Sequence, residues 1–202
     1  MRLLLLTIFA LVSATSTHAQ SRPYVGGSAA VVTETRSESF QPGGRTWGGS
    51  VLFGVPVSSR WSVEFEPMFI GSLEDGEYTY APSPVLRAHV MTDRRDTFFT
   101  FQLRAKTRLL EPVVGVSYVY AAASRHATII QSGLPYFDDK QSQHALALAA
   151  GVDAAVALTS HLHVVPTIRV FLVTRPADDP IDEQTSGGPF AIRVGVGTRI
   201  TF

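Results

Sequence analysis

Apolar and polar residues alternate with period two along most of this chain, and helical periodicity is hard to find. In RWSVEFEPMFIGS one face carries Trp61, Val63, Phe65, Pro67 and Phe69, while the other carries Ser62, Glu64, Glu66, Met68 and Ile70. In TFFTFQLRAK the apolar face is Phe99, Phe101, Leu103 and Ala105, opposed by Thr100, Gln102, Arg104 and Lys106, with Phe98 breaking the polar row. HALALAAGVDAAVAL sets Leu146, Leu148, Val152, Val156 and Leu158 against alanines, Gly151 and Asp153. The closing GPFAIRVGVGTRITF alternates Phe190, Ile192, Val194, Val196, Thr198, Ile200 and Phe202 with Ala191, Arg193, Gly195, Gly197, Arg199 and Thr201. The pattern predicts strands at roughly 23–34, 46–56, 60–72, 96–106, 112–123, 144–158, 162–174 and 188–202.

The connections fall into two classes that alternate without exception. VSS, TRLLE and TSH are short, whereas 35–45, 73–95, 124–143 and 175–187 are long and polar. An up-and-down meander puts every second connection at the same end, so one end is tight and the other loop-rich. Barrels in the bacterial outer membrane have this asymmetry, with short periplasmic turns and longer external loops. The segments also meet the ~9–11 residues that a tilted strand needs to cross hydrocarbon, where soluble strands have a mode near ~5–6.

The N-terminus has the layout of a secretory signal: Arg2, an apolar run from Leu3 to Val12, then small and polar residues ending in STHAQ. We expect residues 1–19 to be a cleavable signal peptide and 20–202 to be the mature barrel domain. The chain has no cysteine, which removes disulfides, thiolate metal sites and cysteine nucleophiles. Its 17 basic and 17 acidic residues balance, so no overall field favours nucleic acid.

With large apolar residues facing lipid, the alternation turns Glu64, Glu66, Arg104, Lys106, Asp153, Arg169, Arg193 and Arg199 inward, with His163 near the short-turn end. An eight-stranded barrel is only wide enough for side chains to fill it, and buried charges are costly unless paired. The expectation is a network in which Glu64 and Glu66 meet Arg104, with Arg169, Arg193 and Asp153 contributing from further round the wall. Either a stiffening plug or a gated ion path follows from such a lumen. Tyr24, Trp61 and Phe202 near the short-turn end, and Trp47, Phe69, Tyr120 and Phe190 near the loop end, are expected to form interfacial aromatic belts.

The last strand, VGVGTRITF, resembles the C-terminal assembly signal of outer-membrane β-barrel proteins: Val194, Val196, Ile200 and Phe202 match its pattern, while Thr198 is less apolar than usual and Ile200 stands where tyrosine is common. With PYVGGSAAVV near the start, the mature chain resembles the small eight-stranded OmpA/OmpX-like barrel domains. That resemblance implies an all-β, eight-stranded antiparallel up-and-down transmembrane barrel in the bacterial outer membrane. It further implies recognition by the barrel-assembly machinery, contact with outer-membrane lipid and lipopolysaccharide, and a monomer with no catalysis, cofactor or metal.

A structural or surface-binding role through the external loops is the expected function, with a surface ligand the sequence does not name. A narrow channel and a lipid-modifying enzyme are the alternatives. Against the enzyme, lipid A deacylase-like barrels carry an outward His-x-Ser pair with a carboxylate, whereas here Ser142-x-His144 stands in reverse order. His161 and His163 lack a clear third metal ligand, and ADDPIDE lacks EF-hand spacing. A soluble calycin-like barrel would turn the same greasy face inward. The transmembrane reading predicts that the folded, signal-cleaved protein requires detergent and migrates heat-modifiably on a gel; a detergent-free soluble monomer would exclude it.

Overall fold

The structure is a computed structural model that describes residues 22–35, 42–81, 86–107, 110–174 and 190–202. The expected signal peptide, residues 1–19, and the ADDPIDE run lie outside the described residues. All helix or strand among these residues is strand. In chain order the strands are β1 (Tyr24–Thr35), β2 (Pro42–Pro56), β3 (Trp61–Ile70), β4 (Leu73–Tyr80), β5 (Ala88–Ala105), β6 (Glu111–Ile129), β7 (Pro135–Asp153), β8 (Val156–Ala157), β9 (Leu162–Thr174) and β10 (Phe190–Thr201).

Neighbours pair antiparallel in the order β10-β1-β2-β3-β5-β6-β7-β9, and β9 pairs back onto β10. The sheet therefore closes into a barrel of eight staves. Two staves are interrupted: β4 resumes the line of β3 beyond Gly71 and Ser72, and β8 resumes that of β7 beyond Ala154 and Ala155. Closure runs from Tyr24 opposite Thr201 to Glu34 opposite Ala191. No edge is left in the wall, which is the condition for a sheet to stand in lipid.

Side chains face as a membrane requires. Phe101 is 59% exposed and Val196 53%, while Arg193 and Glu66 are buried in the interior. The outward residues form a continuous apolar wall that includes Phe53, Val63, Leu103, Val116, Leu148, Ile168, Val194 and Ile200. This orientation excludes the soluble calycin-like alternative, whose apolar face would line a cavity.

The long connections are shorter than the sequence pattern suggests. Residues 73–80 and 88–95 form β4 and the start of β5, and 124–129 and 135–143 extend β6 and β7. Their outer face is polar because it stands in water, while their inner face buries a small cluster of Ala88, Val90 and Ala127 with Phe137, so the alternation is weak. At 19 residues, β6 runs ~60 Å along its axis. Even tilted, it exceeds the ~25 Å apolar band, so β5, β6 and β7 rise well above the lipid as a projecting sheet. Its tip turns at Gly133, where φ is 69° and the amide donates to the Ile129 carbonyl at 2.8 Å. At the opposite end, the tight β2–β3 turn is closed by Val57 and Ser58 amides donating to the Trp61 carbonyl at 3.0 and 3.2 Å.

The two ends must therefore lie on opposite sides of the bilayer. An epitope tag inserted at Gly133 is expected to bind antibody on intact cells, and one inserted between Ser58 and Ser59 only after permeabilisation. Equal accessibility of both tags on intact cells would contradict the topology.

Candidate functional site

The lumen is filled in layers. Nearest the short turns, Arg104 is held by Glu64 through Nε and through Nη2, the latter at 2.9 Å from Oε2. Its Nη1 reaches Glu111 at 2.9 Å and pairs with Asp153. Asp153 also pairs with Arg169, and Arg199 donates to Glu111 at 2.9 Å. Tyr24 closes the layer: its hydroxyl hydrogen-bonds Glu64 and lies 3.0 Å from Ser62 Oγ, and the Arg199 guanidinium sits 4.9 Å from its ring centroid. His163 faces the same interior from β9, and Lys106 sits half-buried just past β5.

The next layer is centred on Arg193. Its Nη2 lies 2.6 Å from Glu66 Oε1 and 2.8 Å from Ser28 Oγ, and Ser50 donates to Glu66 at 2.6 Å. Gln102 joins the layers by donating to Glu64 at 2.7 Å and Glu66 at 3.3 Å. Glu66 thus pairs with Arg193 across the barrel, not with Arg104. Glu66 and Arg104 point inward from different levels of the β3–β5 ladder, where Arg104 lies opposite Ser62 and Glu66 opposite Thr100.

Four arginines (Arg104, Arg169, Arg193 and Arg199) here meet four carboxylates (Glu64, Glu66, Glu111 and Asp153). The inward residues read from the sequence are five bases, Lys106 among them, against three acids, because that reading places Glu111 in a turn. Backward alternation from Val113 is the signal that turns Glu111 inward. Among the described residues a void of about 30 Å³ is lined by Glu66, Arg104, Asp153, Thr167, Arg169 and Arg193, room for one or two water molecules.

Above the charges lies an apolar plug on the inward face, to which Met68 and Ile70 of the polar row belong. Val32, Met68, Ile70, Phe98, Val119, Phe171 and Val173 are buried together, with the Phe98 and Phe171 rings 4.9 Å apart. Phe98 breaks the polar row because it fills this plug. On top, Arg94 reaches across the lumen: it donates to Glu34 of β1 at 3.2 Å and clasps Asp96 on its own strand. Sequence reasoning missed Arg94, Asp96 and Glu34, although the inward rows Phe98, Thr100, Gln102 and Ala30, Val32 extend to them.

Tyr24 is corrected by this geometry. Expected at the interface, it points inward because it shares a face with Ala30, Val32 and Glu34, and its ring occupies the space left by Gly54 on β2. A Cβ at Gly54 would collide with that ring. Gly151 does the same for Arg169, whose Cδ lies 2.6 Å from where a Cβ would stand. The remaining aromatics of the proposed belts, Trp47, Trp61, Phe69, Tyr120 and Phe202, are exposed on the outer wall, and Phe190 is half-buried at the start of β10. Val194, Val196, Ile200 and Phe202 all face outward.

On the outer wall, Ser142 and His144 share one face of β7. His144 Nδ1 hydrogen-bonds the Tyr118 hydroxyl, and its ring stacks on Tyr118 at 5.7 Å. The group orienting the imidazole is a phenol where a deacylase relay needs a carboxylate. His161 hydrogen-bonds the Thr201 carbonyl through Nδ1 at 3.1 Å, while His163 turns inward, so the two do not converge.

No family model matches the chain, and no curated protein matches it in sequence. Solved structures do match its fold. The attachment invasion locus protein Ail of Yersinia pestis superposes with a TM-score of 0.57 at 10% identity, over 90% of this chain and 99% of that one. A major outer membrane protein of Thermus thermophilus gives 0.56 at 14% identity, over 88% and 99%. Ail in complex with the heparin analogue sucrose octasulfate gives 0.52 at 10% identity, over 89% and 99%. The likeness is one of fold: this chain has the architecture of the small outer-membrane β-barrels.

Asp153 is the carboxylate that most arginines share. Replacing it (Asp153→Ala) strands buried guanidinium groups and is expected to lower the unfolding free energy by about 3–5 kcal/mol in urea titrations of the micelle-bound barrel. Asp138→Ala, which removes an exposed partner of His126, should cost under about 1 kcal/mol.

Proposed function

We propose that this protein is a non-conducting, non-catalytic barrel of the bacterial outer membrane that displays the projecting β5–β6–β7 sheet as a binding surface. The observation that carries this reading is the filling of the lumen. Two salt-bridged layers, an apolar plug and the Arg94 bridge follow one another along the axis, and the void of about 30 Å³ between the charged layers is too small to carry hydrated ions. A gate would need an element free to move aside. Here each inward charge of these layers is tied to the wall by its partners.

Other features support the same reading. The outward Val194, Val196, Ile200 and Phe202 of β10 present the pattern expected of a segment recognised during barrel assembly. The phenol contact of His144 argues for binding over ester hydrolysis. Ail, similar in fold, is in complex with the heparin analogue sucrose octasulfate, and the wall of this chain carries basic residues above its apolar belt, Arg95 and Lys140 among them.

Planar-bilayer recording tests the closed lumen. The folded protein is expected to give no sustained single-channel steps. Steady conductance that changes in Arg104→Ala or Glu64→Ala would replace this reading with the channel alternative.

A further inference from the structure

Three adjacent strands change character at one row of the outer wall. Going up β5, the outward residues run Leu103, Phe101, Phe99, then Thr97, Arg95 and Asp93. On β6 they run Val114, Val116, Tyr118, Tyr120, then Ala122, Ser124 and His126; on β7, Val152, Ala150, Leu148, Leu146, then His144, Ser142 and Lys140. The register sets Thr97, Tyr120 and His144 side by side, so all three strands leave the apolar belt together. Tyr118 and Tyr120 flank His144 at this boundary, their ring centroids 5.7 and 5.4 Å from its own, the level that amphipathic rings take at the lipid headgroups.

Directly above these rings the wall is indented. Ala122 and Ser124 are small, and the strands on either side carry Arg95 and Lys140, leaving a trough of about 510 Å³. Arg95 shares a row with Ala122 and Ser142, and Lys140 shares the next row with Ser124 and Asp93. The two outer strands stand about 10 Å apart, so both cationic side chains can lean onto one small anion between them. The Ser124 and Ser142 hydroxyls supply further donors.

Among the described residues the ion pair that these two cations make is an exposed one, Arg95 with Asp93 on the trough's rim. Lys140 makes no ion pair among the described residues, and Arg95 is 70% exposed, with Asp93 3.7 Å away. Asp93 is the acid on the rim, and its carboxylate already accepts from the Ser72 hydroxyl. One row further up, His126 and Asp138 pair at 3.3 Å.

We propose that the trough formed by Arg95, Ala122, Ser124, Lys140 and Ser142 seats the phosphorylated headgroup of an outer-leaflet glycolipid. The phosphate lies between Arg95 and Lys140, the sugar meets the Tyr118–Tyr120–His144 rings, and the acyl chains run down over Leu146 and Leu148. Its position commits it to a lipid: a free anion would gain nothing from a site placed against the apolar belt. Charge-assisted hydrogen bonds to phosphate are the strong kind, and the lipid arrives already concentrated and oriented in the leaflet. The proposal deepens the binding-surface reading and rests on the outer-membrane assignment beneath it.

Native mass spectrometry of the detergent-folded barrel with diphosphoryl lipid A provides the test. We expect the wild type to retain the lipid and R95A/K140A to bind it about 30-fold more weakly, the factor that two cations supply at an anionic interface. R95Q/K140Q should behave likewise, and R60A, at the opposite end, should match the wild type. Each variant is checked for heat-modifiable migration, which these exposed positions leave intact. Equal retention by the double variants, or equal retention of phosphate-free lipid A by the wild type, overturns the proposal. Competition by millimolar inorganic phosphate overturns its assignment to a lipid. A wild type that fails to fold in detergent removes the outer-membrane reading itself, an outcome distinct from a folded barrel that ignores the phosphate.

Discussion

The pairing of β1 with β10 is the contact on which everything else in this molecule depends. Water cannot satisfy backbone amides inside lipid, so a sheet with a free edge there would leave several polar groups unpaired, each at a cost of several kcal/mol. Joining Tyr24–Glu34 to Ala191–Thr201 removes both edges at once. Closure in turn creates an inside and an outside, and period-two alternation then sorts every residue into one or the other. The greasy outer wall and the ionic interior are two consequences of the same hydrogen-bond ladder.

Closure with only eight staves also fixes how much can fit inside. The interior solves this by pairing size across strands: Gly54 beside the Tyr24 ring and Gly151 beside Arg169 leave the room that their large neighbours fill. Charges so enclosed cannot be hydrated, so they neutralise one another, and shared carboxylates such as Asp153 and Glu111 let a few acids satisfy several guanidinium groups. The apolar plug around Phe98 separates this lower network from the Arg94 bridge. Rigidity of the wall follows, and it leaves the projecting sheet and the headgroup-level trough as the surfaces free to meet other molecules.

Much of the architecture was legible before any coordinates. The inward placement of Glu64, Arg104, Asp153, Arg169 and Arg199 follows from counting by twos within strands whose outer face is plainly apolar. Counting failed where that contrast fades. In β1 both faces are apolar or small, so Tyr24 looked like an interfacial ring. Above the membrane the outer face of β5, β6 and β7 is polar and the inner face mixes small apolar and charged residues, so strand continued where a loop was expected, and Arg94 was lost with it. The plug was hidden for the opposite reason: Met68, Ile70 and Phe98 lie on the inward face, and an apolar residue there reads as a lapse in the pattern until its neighbours from β1, β6 and β9 are seen around it.

By itself the sequence determined which residues share a face, how many times the chain crosses, and which end carries the tight turns, because these depend on local periodicity and on turn length. Only the tertiary structure decided who meets whom across the bore. Glu66 chose Arg193 over Arg104, Arg94 chose Glu34, and Arg95 came to face Lys140 over a floor of Ala122 and Ser124. Those partners lie on strands far apart in the chain, and their meeting is set by register and barrel curvature, quantities that no single strand encodes.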